Sequence, residues 1–357
     1  MFLVARHPAL ALLTTVFGVG CVFPESVHAQ WIAQPSGITA ELRGLSVVSP
    51  RVAWASGQHG TVLRTINGGI TWRADTVPGA SALDFRAIAA RSASTAHVMS
   101  IGDSSRIFRT TDGGASWSLR FTSTRKGSFL DAIEFWDSRH GIAMSDPVDG
   151  RFLIVATDDG GETWHEMPPD AIPPSLPGEG GFAASGTSLT VRGSSEVWLA
   201  SGGATVARVY HSRDRGRHWT VTESPIRAGV ASAGIFSIAF ADARHGVLAG
   251  GDYQQPKLRG RNVATTSDGG LTWTAADSTL SPAGYRSAVA YWPRSPGRRL
   301  IAVGLTGTDT SRDGGRSWAT TDSVAYNSVA LVAEGRRCVR GWAVGPKGRI
   351  GMTRACS

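Results

Sequence analysis

TDDGGETW, Thr157–Trp164, sits in mid-chain and has five relatives. TINGGITW ends at Trp72 and TTDGGASW at Trp117, while SRDRGRHW ends at Trp219, TSDGGLTW at Trp273 and SRDGGRSW at Trp318. The six tryptophans are 45, 47, 55, 54 and 45 positions apart. A period of about 40–50 residues is the spacing of β-propeller blades, each a sheet of four short antiparallel strands. The text between the repeats supports that reading. An alternating apolar strand such as AIEFW (Ala132–Trp136) or SIAF (Ser237–Phe240) leads to a polar turn, DSRHG or DARHG. A small-residue strand, GIAM or GVLAG, follows, and then FLIVAT or NVATT runs into the eight-residue unit. Six copies of a catalytic site would need six substrates, whereas six copies of a turn need only six blades.

The unit resembles the Asp-box, or bacterial neuraminidase repeat, of pattern Ser/Thr-x-Asp-x-Gly-x-Thr/Ser-Trp. Its chemistry suits a turn. A carboxylate can accept backbone N–H bonds from its own turn. The glycine pair permits positive φ. The tryptophan opens the outer strand and can pack its indole between blades. Asp112, Asp159, Asp214, Asp268 and Asp313 are therefore read as structural, with Trp72, Trp117, Trp164, Trp219, Trp273 and Trp318. Asn67 keeps the acceptor in the first unit. Arg215 replaces the first glycine of the fourth, which predicts a looser turn there.

A seventh blade is hidden at the C-terminus. GWAVGPKGRIGMT, Gly341–Thr353, matches AWASGQHGTVLRT, Ala53–Thr65, which covers the second and third strands of the first blade. The chain stops before another unit. The missing outer strand stands at the other end, where QWIAQPSG, Gln30–Gly37, resembles TWRADTVPG, Thr71–Gly79. The expected fold is all-β, a seven-bladed propeller whose N-terminal strand closes the last blade and hides both free edges. The roughly 328 residues beyond the leader give about 47 per blade, which matches the period.

Residues 1–29 read as a secretory signal: Arg6 and His7, then the apolar run Ala9–Phe23, then a small-residue cleavage site at Val27-His28-Ala29. The apolar run is too short for a membrane span, and no later segment could cross a bilayer. Residues 30–357 are read as a single propeller domain, exported or periplasmic and monomeric. Cys21 leaves with the leader, although it is also a candidate lipoprotein site. Cys338 and Cys356 remain, on a strand–turn–strand that places them nearly opposite each other, so a disulfide is expected in an oxidising compartment. The net charge of +8 rests on 33 Arg and three Lys. Such a charge attracts anionic partners, and export argues against nucleic acid. No His or Cys spacing suggests a metal, and no Gly-rich run has the strand–helix context of a phosphate or dinucleotide site, so no cofactor is expected.

Ligands gather where loops are long and varied. The long loops are Met144–Phe152, Gly250–Asn262 and the link Met167–Leu189, all on the face opposite the repeated turns. They and the strands beside them carry the candidate binding residues Asp131, Asp146, Glu179, Asp252, Tyr253, Lys257, Arg259 and Arg261. Glu179, Asp146 and Asp252 are the candidate catalytic carboxylates, because paired acids can perform acid–base chemistry.

Nearly the whole chain after the leader resembles the photosystem II stability and assembly factor family and its bacterial relatives. The blade pattern F-x-D-x-x-x-G-h-A…T-x-D-G-G-x-T-W carries the likeness, at Phe240–Leu248 and Thr266–Trp273. The link GEGGFAASGT, Gly178–Thr187, resembles that of the bacterial relatives. The resemblance implies a seven-bladed propeller that binds a protein client in the cell envelope on an Arg-rich face, without catalysis. Sialidases share the repeat and make glycoside hydrolysis the alternative, although the Arg-Ile-Pro expected near their first blade is absent here. A carbohydrate- or surface-binding module is the third reading.

Overall fold

The computed structural model describes residues 1–2, 31–102, 105–295 and 297–356. The leader read over residues 1–29 lies outside them apart from Met1 and Phe2, as does Gln30 of the stretch Gln30–Gly37. The strands form seven four-stranded antiparallel sheets. The inner strands are Leu42–Val47, Phe85–Ala90, Leu130–Phe135, Leu189–Arg192, Ala233–Phe240, Ala288–Tyr291 and Ser328–Glu334, in blades one to seven. Each packs against the next, and the seventh packs against the first, so the ring closes. The closing sheet is ordered Ile32–Gln34, Ile350–Cys356, Cys338–Val344, Ser328–Glu334, with the N-terminal strand outermost. Ile32 stands opposite Met352 and Gln34 opposite Ile350. Two adjoining residues bind the closure to its neighbours. Trp31 Nε1 donates to Thr308 Oγ1 at 2.9 Å, and Gln34 Oε1 accepts from Trp72 Nε1 at 2.9 Å and Trp342 Nε1 at 3.2 Å. A disulfide joins Cys338 and Cys356, which face each other across the last hairpin.

The core lies between blades. Ile142, Met144 and Phe152 of blade three pack with Leu189, Leu199, Tyr210 and Trp219 of blade four. Leu42, Leu63 and Trp72 of blade one meet Trp342 and Ile350 of blade seven. Trp54, Trp198 and Trp342, each on a second strand, are the largest fully buried side chains. Their indoles donate onward, Trp54 to Ser92 O and Trp198 to Gly269 O, both at 3.0 Å.

The repeated turns share one geometry. In the third, Asp159 Oδ1 accepts from the amides of Glu162 and Thr163 at 3.0 Å, and Oδ2 accepts from Thr163 Oγ1 at 2.6 Å. Thr157 Oγ1 accepts from the Gly161 amide at 2.9 Å. The Gly160 amide crosses to Arg139 O at 2.7 Å and ties this turn to the turn between the first two strands. Both kinds of turn therefore share one face of the disc. His140 and His245 occupy equivalent turns, with Nδ1 at 2.8 Å from Asp137 and Asp242 respectively. The fourth turn is not looser, contrary to expectation. Arg215 takes φ +62°, and the bonds are kept, with Gly216 N to Ser212 Oγ at 2.8 Å and His218 N to Asp214 Oδ1 at 2.9 Å. The arginine holds the left-handed conformation with Nε on Ser194 O at 2.7 Å. Asp159→Ala should cost about 1 kcal/mol in denaturant unfolding, because two amides and two hydroxyls lose their acceptor, while leaving binding on the opposite face unchanged.

No helix among the described residues is long and apolar enough to cross a membrane.

Candidate functional site

The link between blades three and four decides what the centre of the propeller can do. Its segment Gly180–Thr187 touches all seven blades. Gly180 and Gly202 exchange backbone bonds at 3.0 Å in blade four. Arg43 of blade one donates to Ala184 O at 3.3 Å, and Gly186 lies against Ala87 of blade two. Thr187 Oγ1 bonds Ser237 Oγ of blade five at 2.8 Å. Ser185 Oγ donates to Ser287 O beside blade six at 2.8 Å, and Ser185 O accepts from Ser328 Oγ of blade seven at 3.2 Å. In blade three, a Cβ at Gly180 would sit 2.8 Å from Asp146 Oδ1, and one at Gly181 2.5 Å from Asp131 Oδ2. A segment that reaches every blade must lie on the axis, so it plugs the central channel. The two glycines are required by this close approach.

Four inner strands are shaped to receive the plug. Each carries a bulge at the same place, at Arg43, Arg86, Asp131 and Phe236. A bulge re-aims one side chain out of the alternating pattern. Phe236 stacks on Phe182 of the plug with centroids 3.8 Å apart. Asp131 is buried, and neither oxygen accepts a well-formed hydrogen bond, although the Ala183 amide of the plug acts on it. Burial, with repulsion from Asp146, holds its carboxyl well above the usual range. Burial also pushes Asp146 up to about 6, against the bond its Oδ1 accepts from Gly181 N at 2.7 Å. A raised carboxyl pKa contributes stability at low pH that is lost as pH rises from about 4 through the folded pKa. Asp131→Asn should therefore raise the melting temperature at pH 8 and leave it nearly unchanged at pH 4. Thermal unfolding across that range would reveal this.

Glu179 is placed differently from an acid awaiting substrate. Its buried carboxylate is the anchor of the plug, paired with Arg208. Arg208 Nε donates to Oε1 at 3.0 Å, Ser201 Oγ to Oε1 at 2.5 Å, Leu176 N to Oε2 at 2.7 Å and Tyr210 Oη to Oε2 at 3.1 Å. Asp252, also buried, caps its own loop, accepting from Gln254 N at 2.9 Å and Gln255 Nε2 at 3.2 Å. Of the three catalytic candidates, Asp146 has a second acid, Asp131 beneath the plug, as an electrostatic neighbour. Among the described residues, no group of three or more potential metal ligands occurs.

The remaining candidates form a surface. Tyr253, Lys257, Arg259 and Arg261 are exposed on the loop after Asp252. The loop's backbone is held on two sides. Tyr285 N bonds Pro256 O at 3.0 Å, and Arg227 bonds Arg259 O at 3.0 Å and Arg261 O at 2.9 Å. Tyr253 leans edge-on against Phe236, which links it through the aromatic stack to the plug. Leu258 on the same loop is exposed, as are Val230, Leu305 and Val324 on neighbouring loops of this face. Blades four to seven thus present an apolar and cationic arc that does not follow from any one loop's sequence. The bulged cations were legible in principle, since LRGLSV and FRAIAA each put an arginine at the same position of an otherwise apolar or small-residue strand.

No protein-family model and no curated protein sequence matches the chain. Solved structures share its fold. One is YCF48 bound to D1 peptide, at TM-score 0.63 and 19% identity over 90% of this chain and 94% of that one. YCF48 from Cyanidioschyzon merolae gives 0.63 and 20%, over 90% and 98%. The GH74 xyloglucanase from Xanthomonas campestris gives 0.61 and 18%, over 90% of this chain and 53% of the enzyme. This chain is a seven-bladed β-propeller. At these identities the likeness concerns the fold, and function rests on the site.

Proposed function

We propose that the chain is an exported, non-catalytic propeller that binds a protein client, as an assembly or stability factor, on the loop face of blades four to seven. The observation that carries this reading is the loop Tyr253–Arg261, whose backbone is fixed while Tyr253, Lys257, Leu258, Arg259 and Arg261 face solvent. A rigid aromatic anchor beside apolar and guanidinium groups is the composition of a protein-binding hot spot. The cationic rim suits a client segment that is acidic and partly apolar. YCF48, which shares the fold, is known in complex with a D1 peptide, so such a propeller can hold a protein segment. The disulfide fits an oxidising compartment such as the cell envelope.

A glycosidase needs two carboxylates flanking an accessible sugar. Here Glu179 neutralises Arg208, Asp252 caps its own loop, and the acid beside Asp146 is Asp131 beneath the plug, so the geometry favours binding. The test is capture from the host envelope fraction by wild type and by Arg259→Glu/Arg261→Glu. A discrete protein retained by wild type and reduced at least about tenfold with the variant supports the proposal. Equal retention by both, or a glycan as the sole partner, refutes it.

A further inference from the structure

We propose a second binding site, for an acidic oligosaccharide, in the groove between blades five and six on the face of the repeated turns. The groove has a volume of about 920 Å³, and its lining includes His245, Thr274, Tyr291, Arg298, Arg312 and Arg316. The molecule contains its own comparison. The equivalent groove between blades three and four is framed by His140, Arg215 and Arg217, the counterparts of His245, Gly314 and Arg316, yet holds only about 50 Å³. Its filling is visible in the aligned sequences. FWDSRHG places Trp136 where FADARHG has Ala241, and TWHEM places His165 and Met167 where TWTAA has Thr274 and Ala276. Trp136 spans the gap to blade four, with Nε1 on Glu196 O at 2.7 Å, and Met167 packs against the core beside it. Ala241 instead lies against Gly297 at the groove wall and reaches no further. Small residues at four matched positions, Gly314 in the place of Arg215 being the fourth, open the one groove that large residues close in the other.

The walls select the ligand. Arg298 and Arg316 are exposed at the rim, and Arg312 also lines it. Two acids, Asp277 and Asp313, share the lining and are held by their own turns. Asp313 accepts from Ser311, Ser317 and its turn amides, and Asp277 accepts from Thr279. Guanidinium forks match carboxylate or sulfate geometry. Thr265 and Thr274 add hydroxyls to the lining, and Tyr291 adds a ring. That mixture fits a charged sugar chain. An extended peptide would need a longer free strand edge, and the outer strand here is only Thr274–Ala275.

The experiment is calorimetric titration of the full chain with a galacturonic-acid hexamer, with neutral cellohexaose and hexaglutamate as comparisons. Binding of the acidic hexamer alone is expected. Arg298→Glu/Arg316→Glu should weaken it at least about tenfold. Ala241→Trp, which restores the filler of blade three, should do the same at unchanged melting temperature. If that variant fails to fold, Ala276→Met serves the same purpose. The loop-face variant Arg259→Glu/Arg261→Glu should bind normally, which separates this site from the protein-binding reading. No binding up to about 1 mM, equal binding of hexaglutamate, or indifference to the filler substitution overturns the proposal.

Discussion

Glu179→Ala is expected to destabilise the protein by about 3–5 kcal/mol, because it strands a largely buried guanidinium. Glu179 is fully buried on its side chain, and Arg208 is 11% exposed. Without the carboxylate, Arg208 keeps Pro174 O at 2.9 Å and the Tyr210 hydroxyl, with Glu223 on the neighbouring strand as its remaining charged partner. The Leu176 amide loses its acceptor at the same time, and Ser201 Oγ falls back on Arg208 O at 3.2 Å. The plug is anchored through this residue, so the loss should also appear as faster amide exchange at Gly180–Ser188. Glu179→Leu combined with Arg208→Met should recover most of the stability, since removing both charges removes the desolvation cost as well. Urea unfolding of the three proteins tests this. A loss below about 1 kcal/mol for Glu179→Ala would contradict the buried pair.

Removing residues 31–36 should lower the melting temperature by roughly 5–10 °C and make the protein aggregate. The deletion takes away the ladder partner of Ile350–Met352 and bares that edge. It also removes Gln34, which accepts from two indoles, and Trp31, which packs against Tyr326 with centroids 5.4 Å apart. Scanning calorimetry with light scattering separates the two effects. A truncated chain as stable and dispersed as the parent would refute the closure.

The fold was readable because its information is local and repeated. Each eight-residue unit specifies its own turn, and the match of Gly341–Thr353 to Ala53–Thr65 exposes a blade that lacks the unit. The N-terminal strand could be assigned because an open edge needs a partner. The plug could not be read that way. Pro173–Thr187 has no periodicity, and its structure comes from contacts with every blade. Glu179 looked like a free loop acid because Arg208, its partner, lies 29 positions away on a strand of a different period. Asp131 looked like a surface candidate because a bulge turns it inward onto a glycine that sequence alone does not place. The turn at Arg215 shows the reverse error. A missing glycine suggested looseness, yet the hydrogen bonds of the turn outweigh the modest cost of one left-handed arginine. Tyr253, Lys257, Arg259 and Arg261 are exposed on one loop because their loop is long and polar, which is a local property. Val230, Leu305 and Val324 join them only through the ring's geometry.

The most direct measurement is photocrosslinking in the host envelope fraction, with the reactive residue placed at position 253 or, on the opposite face, at position 66. Both positions are exposed, at 43% and 53%. Our account predicts a discrete protein adduct from position 253 that disappears in the Arg259→Glu/Arg261→Glu background, and none from position 66. Adducts from position 66 alone, or from both positions equally, would contradict it.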